Sequence, residues 1–193
     1  KTTVILSMDK VLDKLLLSVD SLLTADQKGP SDISQKKVNI DIRSIVMDVI
    51  SENTVLANKK KQTINSDLDA NCIILGDRFQ ILEVIDNLIN NAIKYSPFGS
   101  EISVSLFRKK SITSNKIVFK VSDNGVGVKP EDQQRIVSEY GQTENKPTGG
   151  EKSSGLGLSI VREIVNWHSG RVWVESNPSE ESGSTFIVEF PAV

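Results

Sequence analysis

The stretch from Asp77 to Tyr95 restricts the chain more than any other. Ile81, Leu82, Val84, Ile85, Leu88, Ile89 and Ala92 make it apolar around most of a helix, yet Glu83, Asn87 and Asn91 recur at every fourth residue, with Asn90 beside them. A helix so nearly apolar belongs inside a layered core, and the four-residue spacing gathers its polar side chains on one ridge. Asparagine is a poor helix former and costs free energy when buried without partners. Such a ridge therefore calls for a polar ligand, and an amide oxygen can ligate a hard cation such as Mg2+ whose other ligands are phosphates and water. Taken alone, capping and solvation would be the more ordinary explanation.

Around that helix the chain of 193 residues reads as one core with a helical appendage. Apolar residues at helical period from Val4 to Leu23 form a broad stripe, followed by a polar stretch with Gly29 and Pro30. This is the pattern of a bundle helix with partners outside its own domain, so residues 1–36 are separated from a domain over 37–193. Asp41 is placed to cap a helix with Ile42, Ile45, Val46, Val49 and Leu56 inward, closed by Lys59, Lys60 and Lys61, whose charges complement the helix dipole. Strands are expected around Lys37–Ile40, Thr63–Leu68 and Cys72–Leu75, then as a hairpin over Ile102–Phe107 and Lys116–Ser122, and finally over Arg171–Ser176 and Ser184–Phe190. A short helix begins at Pro130, and another runs to His168 and stops at Gly170. The order predicts an α/β two-layer sandwich: a mixed, largely antiparallel sheet with helices on one face.

Composition narrows the function. A formal charge of -2 from nearly balanced acids and bases lacks the basic footprint of a nucleic-acid binder. The lone Cys72 sits in an apolar run and reads as a buried small hydrophobe in a reducing compartment. No apolar run has the length needed to cross a bilayer, and no signal-peptide layout opens the chain. A cytoplasmic location is expected, either free or as the cytoplasmic part of a membrane-anchored sensor.

Two glycine motifs favour the ligand. Asp123-Asn124-Gly125-Val126-Gly127 follows a strand without a helix directly after it, so it is no dinucleotide fingerprint. Its glycines allow close approach to a flat ligand, and its carboxylate can accept a hydrogen bond from an exocyclic amine such as adenine's. In isolation the pentapeptide would serve equally as a turn. Gly155-Leu156-Gly157 opens a helix, where free amides and the dipole face an anion. The preceding Gly141–Ser154, with Gly149-Gly150 and few apolar anchors, reads as a lid mobile enough to close over a nucleotide.

Together, and in this order, Asn87 and Asn91 in Asn-Leu-Ile-Asn-Asn-Ala-Ile-Lys-Tyr-Ser, Asp123 with Gly125 and Gly127, and Gly155 with Gly157 resemble the N, G1 and G2 boxes of sensor histidine kinases. The resemblance runs from about Val38 to Pro191 and includes Gly183-Ser184-Thr185-Phe186 as the closing strand. It implies the Bergerat-type ATP-binding fold with ATP and Mg2+ as ligands. Asn91 would be the metal ligand, Asp123 would contact the adenine amine with Thr185 helping through water, and Lys94 and Tyr95 would line the nucleotide. Asn87 and Lys94 are assigned to the catalytic step, and Gly125, Gly127, Gly155, Leu156 and Gly157 to close approach. Related ATPases such as DNA gyrase, mismatch-repair proteins and heat-shock chaperones have a glutamate where Asn87 stands, and an amide has no useful basicity to activate water. The resemblance thus implies transfer of the γ-phosphoryl to a histidine on a dimerisation domain, in a homodimer that signals to a response regulator.

Two departures from the family pattern stand out. The expected F box reads Ile136-Val137-Ser138-Glu139-Tyr140-Gly141-Gln142, leaving Arg135, Lys146 and Lys152 as candidates for the lid's phosphate contact. The only histidine, His168, lacks the acidic residue that follows a phosphoacceptor, so it reads as structural. The acceptor is then outside this sequence, and Val4–Leu23 resembles the second helix of the dimerisation hairpin. Competing readings are a conformational-clamp ATPase of the same superfamily, a degenerate ATP sensor, and more remotely a serine kinase.

Overall fold

A computed structural model describes residues 37–110, 114–136, 147–150, 156–177 and 181–193. The expected helix over Val4–Leu23 lies outside them. The described elements are β1 (Val38–Asp41), α1 (Ile42–Lys59), β2 (Thr63–Leu68), β3 (Ile73–Gly76), α2 (Arg78–Tyr95), β4 (Glu101–Lys109), β5 (Lys116–Asp123), α3 (Pro130–Ile136), α4 (Gly157–Trp167), β6 (Arg171–Asn177) and β7 (Glu181–Pro191). Strands β2-β4-β5-β7-β6 form a five-stranded sheet, while β1 and β3 pair separately as a two-stranded sheet. Within the larger sheet β2 runs parallel to β4, and the remaining pairings are antiparallel. The sheet is therefore mixed and largely antiparallel, as expected.

Alternation builds the inner layer. On β4 the side chains of Ile102, Val104 and Leu106 are buried while Glu101 and Ser103 are exposed. They meet Ile117, Phe119 and Val121 of β5, Phe186, Val188 and Phe190 of β7, and the buried faces of α1, α2 and α4 in one continuous core. Full burial of one such aliphatic side chain contributes about 1.5–3 kcal/mol. Helix α2 contributes Ile81, Val84, Ile85, Leu88, Ile89, Ala92 and Ile93 to this core, which fixes the direction of its polar ridge. Cys72 is fully buried, and burial pushes its thiol pKa up, in keeping with a packing role.

Three local readings need correction. Leu56 does not face inward: it is 41% exposed, and the register of α1 buries Asn53 and Ala57 instead. Asn53 is affordable there because its amide donates to Val49 O at 3.1 Å and to Asp86 Oδ1 at 3.0 Å on α2. The three lysines do not share the last turn of α1 either. Lys59 ends the helix, Lys61 takes a left-handed φ of 54°, and Lys60 is the C-cap, only 5% exposed, with its ammonium turned into the protein. Finally, the left-handed residue that stops α4 is Ser169, with φ 56°, rather than Gly170. Gly170 is required for a close approach, since a Cβ there would sit 2.6 Å from Glu189 O.

His168 ties the end of α4 to the start of α2. It is 4% exposed; its Nε2 accepts from the Asp77 N–H at 3.1 Å, which leaves Nδ1 to donate to Ile164 O at 2.8 Å. Gly76 lets the ring in, because a Cβ would lie 2.6 Å from its Cδ2. Both nitrogens are engaged in the neutral form, which agrees with a structural histidine. Burial lowers the His168 pKa from 6.5. The folded chain thus binds this proton less readily than the unfolded one, so the stabilisation is complete above pH 6.5 and is lost as pH falls through the lowered folded value. His168→Gln is expected to be less stable than wild type at pH 7.5, with the gap narrowing towards pH 5, as chemical denaturation at the two pH values will show.

Candidate functional site

The site is assembled on α2. Asp77 caps its start, accepting from Phe79 N at 2.8 Å and Gln80 N at 3.1 Å. One turn further, Glu83 orients Asn87: the Asn87 amide donates to Glu83 O at 2.9 Å and to Glu83 Oε1 at 3.1 Å. Both donors of Asn87 are thereby held within its own helix, and its oxygen is left to face outward. That oxygen meets the glycine turn, because a Cβ on Gly157 would lie 2.7 Å from Asn87 Oδ1. A side chain on the first residue of α4 would have to displace the Asn87 amide, so glycine lets the asparagine ridge and this turn touch. Asn91 is half-buried one turn beyond Asn87, on the same ridge.

Helix α4 begins without a side-chain cap at Leu156, whose backbone is already helical. Its carbonyl accepts from Ile160 N at 3.1 Å and Ser159 Oγ at 2.7 Å, and its own side chain caps no amide of the helix. The dipole at a helix N-terminus, beside an amide oxygen and a half-buried asparagine, suits an anion accompanied by a divalent cation. Gly155 lies outside the described residues, as do Lys146 and Lys152. Arg135, on α3, pairs with Asp132 at 3.3 Å.

The other end of α2 meets the Asp123 turn. β5 pairs with β7 through Asp123↔Ser184, which fixes where the strand stops and the turn starts. Asp123 is 9% exposed and accepts from Gly125 N at 2.8 Å. Burial pushes its carboxyl pKa up to about 6, against the opposing hydrogen bonds from the Gly125 and Ser184 amides. A buried carboxylate with these two donors still has acceptor capacity, and a further donor such as an exocyclic amine would favour its ionised form. A Cβ at Gly125 would lie 2.7 Å from both Asp123 Oδ1 and Tyr95 O, so this glycine lets the turn lie flat against the end of α2. Gly127 has φ 74°, and the next residue is anchored by Val128 N donating to Ser176 Oγ at 2.8 Å. Thr185 exchanges a hydroxyl hydrogen bond of 2.9 Å with Ser122, next to Asp123.

The structure thus brings Asn87 to Gly157 and Tyr95 to Gly125. Lys94 and Tyr95 are half-buried at the end of α2, and the Lys94 carbonyl accepts from Thr148 N at 3.0 Å. Of the stretch expected to form a loose lid, only 147–150 is described, and at Thr148 it is fastened. Three roles are not legible in the sequence. Glu83 is legible on the ridge by its four-residue spacing, but that it orients Asn87 is seen only in the structure. Gly183, with φ 131°, packs on the Asp123 carbonyl. Lys60 holds the end of α2, and nothing in a run of lysines distinguishes it.

Among the described residues, no helix is long and apolar enough to cross a membrane. Residues 76–193 match the family described as histidine kinase-, DNA gyrase B-, and HSP90-like ATPase. The sensor-like histidine kinase SenX3 of Mycobacterium tuberculosis is 35% identical over 158 residues, which are 80% of this chain and 36% of that protein. The adaptive-response sensory kinase SasA of Thermosynechococcus vestitus is 31% identical over 177 residues, 91% of this chain and 44% of that protein. The chain thus spans less than half the length of these relatives. Among solved structures, the mycobacterial sensor histidine kinase MprB shares the fold at a TM-score of 0.69 with 20% identity, over 81% of this chain and 97% of that one. Full-length ShkA in complex with AMPPNP aligns at a TM-score of 0.70 with 25% identity, over 97% of this chain and 38% of that one. On these matches the chain belongs to the histidine kinase-, DNA gyrase B-, and HSP90-like ATPase family.

Proposed function

We propose that this chain is the ATP-binding catalytic part of a two-component sensor histidine kinase, which passes the γ-phosphoryl of Mg-ATP to a histidine on a dimerisation domain. The observation that carries the reading is the contact between the α2 ridge and the start of α4, where the group nearest the glycine turn is an amide. Asn87 has both its amide donors engaged and only a weakly basic oxygen on offer, so it does not activate water. The relatives' names, sensor-like histidine kinase and adaptive-response sensory kinase, agree with phosphoryl transfer rather than hydrolysis. The full protein is then a homodimer on the cytoplasmic side, where ATP is available, and a response regulator receives the phosphoryl group.

The chain's own residues divide the work along α2. Asp123, ionised, accepts from the adenine amine, and Gly125 and Gly127 let the ring lie close. Tyr95 and Lys94 follow along the nucleotide, Thr185 supports Asp123's end through its hydroxyl pair with Ser122, and Leu156 and Gly157 present amides to the phosphates. Asn91 supplies a neutral amide oxygen of the kind Mg2+ accepts while keeping water and phosphate oxygens. Mg2+ bound there with the nucleotide would offset charge on the phosphates. Catalysis in this arrangement is mainly positioning, since the acceptor arrives from another domain.

Asp123→Ala is expected to weaken ATP binding about 10- to 150-fold, the value of a charge-assisted hydrogen bond of roughly 1.5–3 kcal/mol. Because the carboxyl pKa lies at about 6 in the empty site, wild-type affinity for adenosine should also fall as pH drops below that value, while Asp123→Asn stays flat. Calorimetric titration at several pH values measures both, and an unchanged affinity in the alanine variant would remove Asp123 from the site. Asn91→Ala should weaken Mg-ATP far more than metal-free ATP; equal losses with and without Mg2+ would argue against a metal ligand. With γ-labelled ATP, the chain alone should bind nucleotide yet release phosphate slowly and stay unlabelled, and adding a dimerisation hairpin with its histidine should produce acid-labile label. Rapid phosphate release by the isolated chain would favour a clamp ATPase instead.

A further inference from the structure

Lysine is rarely buried without reason, and Lys60 is 5% exposed. Its ammonium donates to Ile93 O at 2.8 Å, to Lys94 O at 3.1 Å and to Thr148 Oγ1 at 2.6 Å, and lies 5.5 Å from the Phe98 ring. The two carbonyls belong to the last turn of α2, where a helix leaves acceptors unpaired and carries partial negative charge. Gln62, reached through the left-handed Lys61, covers the neighbouring acceptors Ile93 O, Ser96 O and Pro97 O, each at 3.1 Å. Thr148 is fastened twice more: its N–H donates to Lys94 O at 3.0 Å, and its hydroxyl lies 2.6 Å from Ser96 O and 3.0 Å from Lys94 O. A hydroxyl has one proton to give, so the ammonium of Lys60 fills its acceptor side while a carbonyl takes the proton.

This cation therefore joins the end of α1, the end of α2 and the segment that leads into the glycine-rich turn. The same end of α2 bears Lys94 and Tyr95, and the Tyr95 carbonyl is the surface on which Gly125 packs. We propose that Lys60 is a positioning residue for the nucleotide: through the Lys94 carbonyl and Thr148 it holds the adenine end of α2 and the approach to the phosphate turn in one register. The inference rests on the nucleotide-binding reading above, and goes beyond it in assigning a role to a residue whose ammonium is engaged by backbone carbonyls and a threonine.

The test compares Thr148→Val, Thr148→Ser and Lys60→Met in the full chain, with AMPPNP and Mg2+ as the probe. Thr148 is exposed, so its valine variant keeps its shape and should fold. Thr148→Val should bind the analogue about three- to tenfold more weakly, the worth of one hydrogen bond, and Thr148→Ser should restore wild-type affinity. Hydrogen exchange in the nucleotide-free chain should show the residue-148 amide losing protection in Thr148→Val and in Lys60→Met. The loss in the double variant Lys60→Met/Thr148→Val should be smaller than the sum of the two single losses, since both remove the ammonium–hydroxyl link, although Thr148→Val also removes the hydroxyl's bond to a carbonyl. Wild-type affinity and protection in Thr148→Val, or fully additive losses in the double variant, would overturn the proposal. A wild-type chain that fails to bind the analogue while its residue-148 amide stays protected would instead sink the nucleotide-binding reading, and the positioning role with it.

Discussion

Helix α2 carries a polar ridge through an apolar core because both of its ends are satisfied, the start by a cap that a distant histidine steadies and the finish from a distant part of the chain. At the start, Asp77 accepts the first free amides while its own N–H is taken by His168. At the finish, Lys60 and Gln62 cover the carbonyls that the helix leaves open. A helix end buried without such partners costs free energy comparable to lost hydrogen bonds, so these caps hold α2 at a fixed height along its axis. Lateral packing by Leu88 and Ile89 fixes its rotation. Height and rotation together decide where Asn87 and Asn91 point.

With α2 fixed, the site acquires a length. Asn87 touches the glycine turn of α4, and the Tyr95 carbonyl touches the Asp123 turn. Eight residues of helix separate them, or about 12 Å along the axis at 1.5 Å per residue. A group that donates to a buried carboxyl at one end and an anion that meets the start of α4 at the other must be joined by something extended over that distance. Neither turn alone distinguishes a nucleotide from a smaller ligand; their separation along one rigid helix does.

How much of this could be read in the sequence varied with the range of the interaction. The ridge on α2 and the alternation of β4 and β5 are periodic and local, so they were visible before any contact was known. The Asp123 turn was visible because glycine spacing and a strand end mark it. Leu56 was misplaced because α1 has apolar residues on two neighbouring stripes, and only packing against α2 decides which is buried. The buried face, Ile42, Ile45, Val46, Val49 and Ala57, includes Asn53, whose bond to Asp86 spans two helices. Lys60 was unreadable for the same reason: its neighbours Lys59 and Lys61 have the same chemistry, and its burial is created by carbonyls on α2 and a threonine far along the chain.

The lone parallel pairing in the larger sheet, β2 beside β4, bears on how the domain forms. Parallel neighbours need a crossover, and here the crossover is β3 followed by the whole of α2. Strand β2 therefore cannot take its register until α2 has docked, whereas β4 and β5 close through a short hairpin. Loop-closure entropy favours the hairpin first and the crossover later. The helix that bears the site is thus itself the crossover on which the edge strand depends, so the packing that places Asn87 and Asn91 also sets where β2 can lie beside β4.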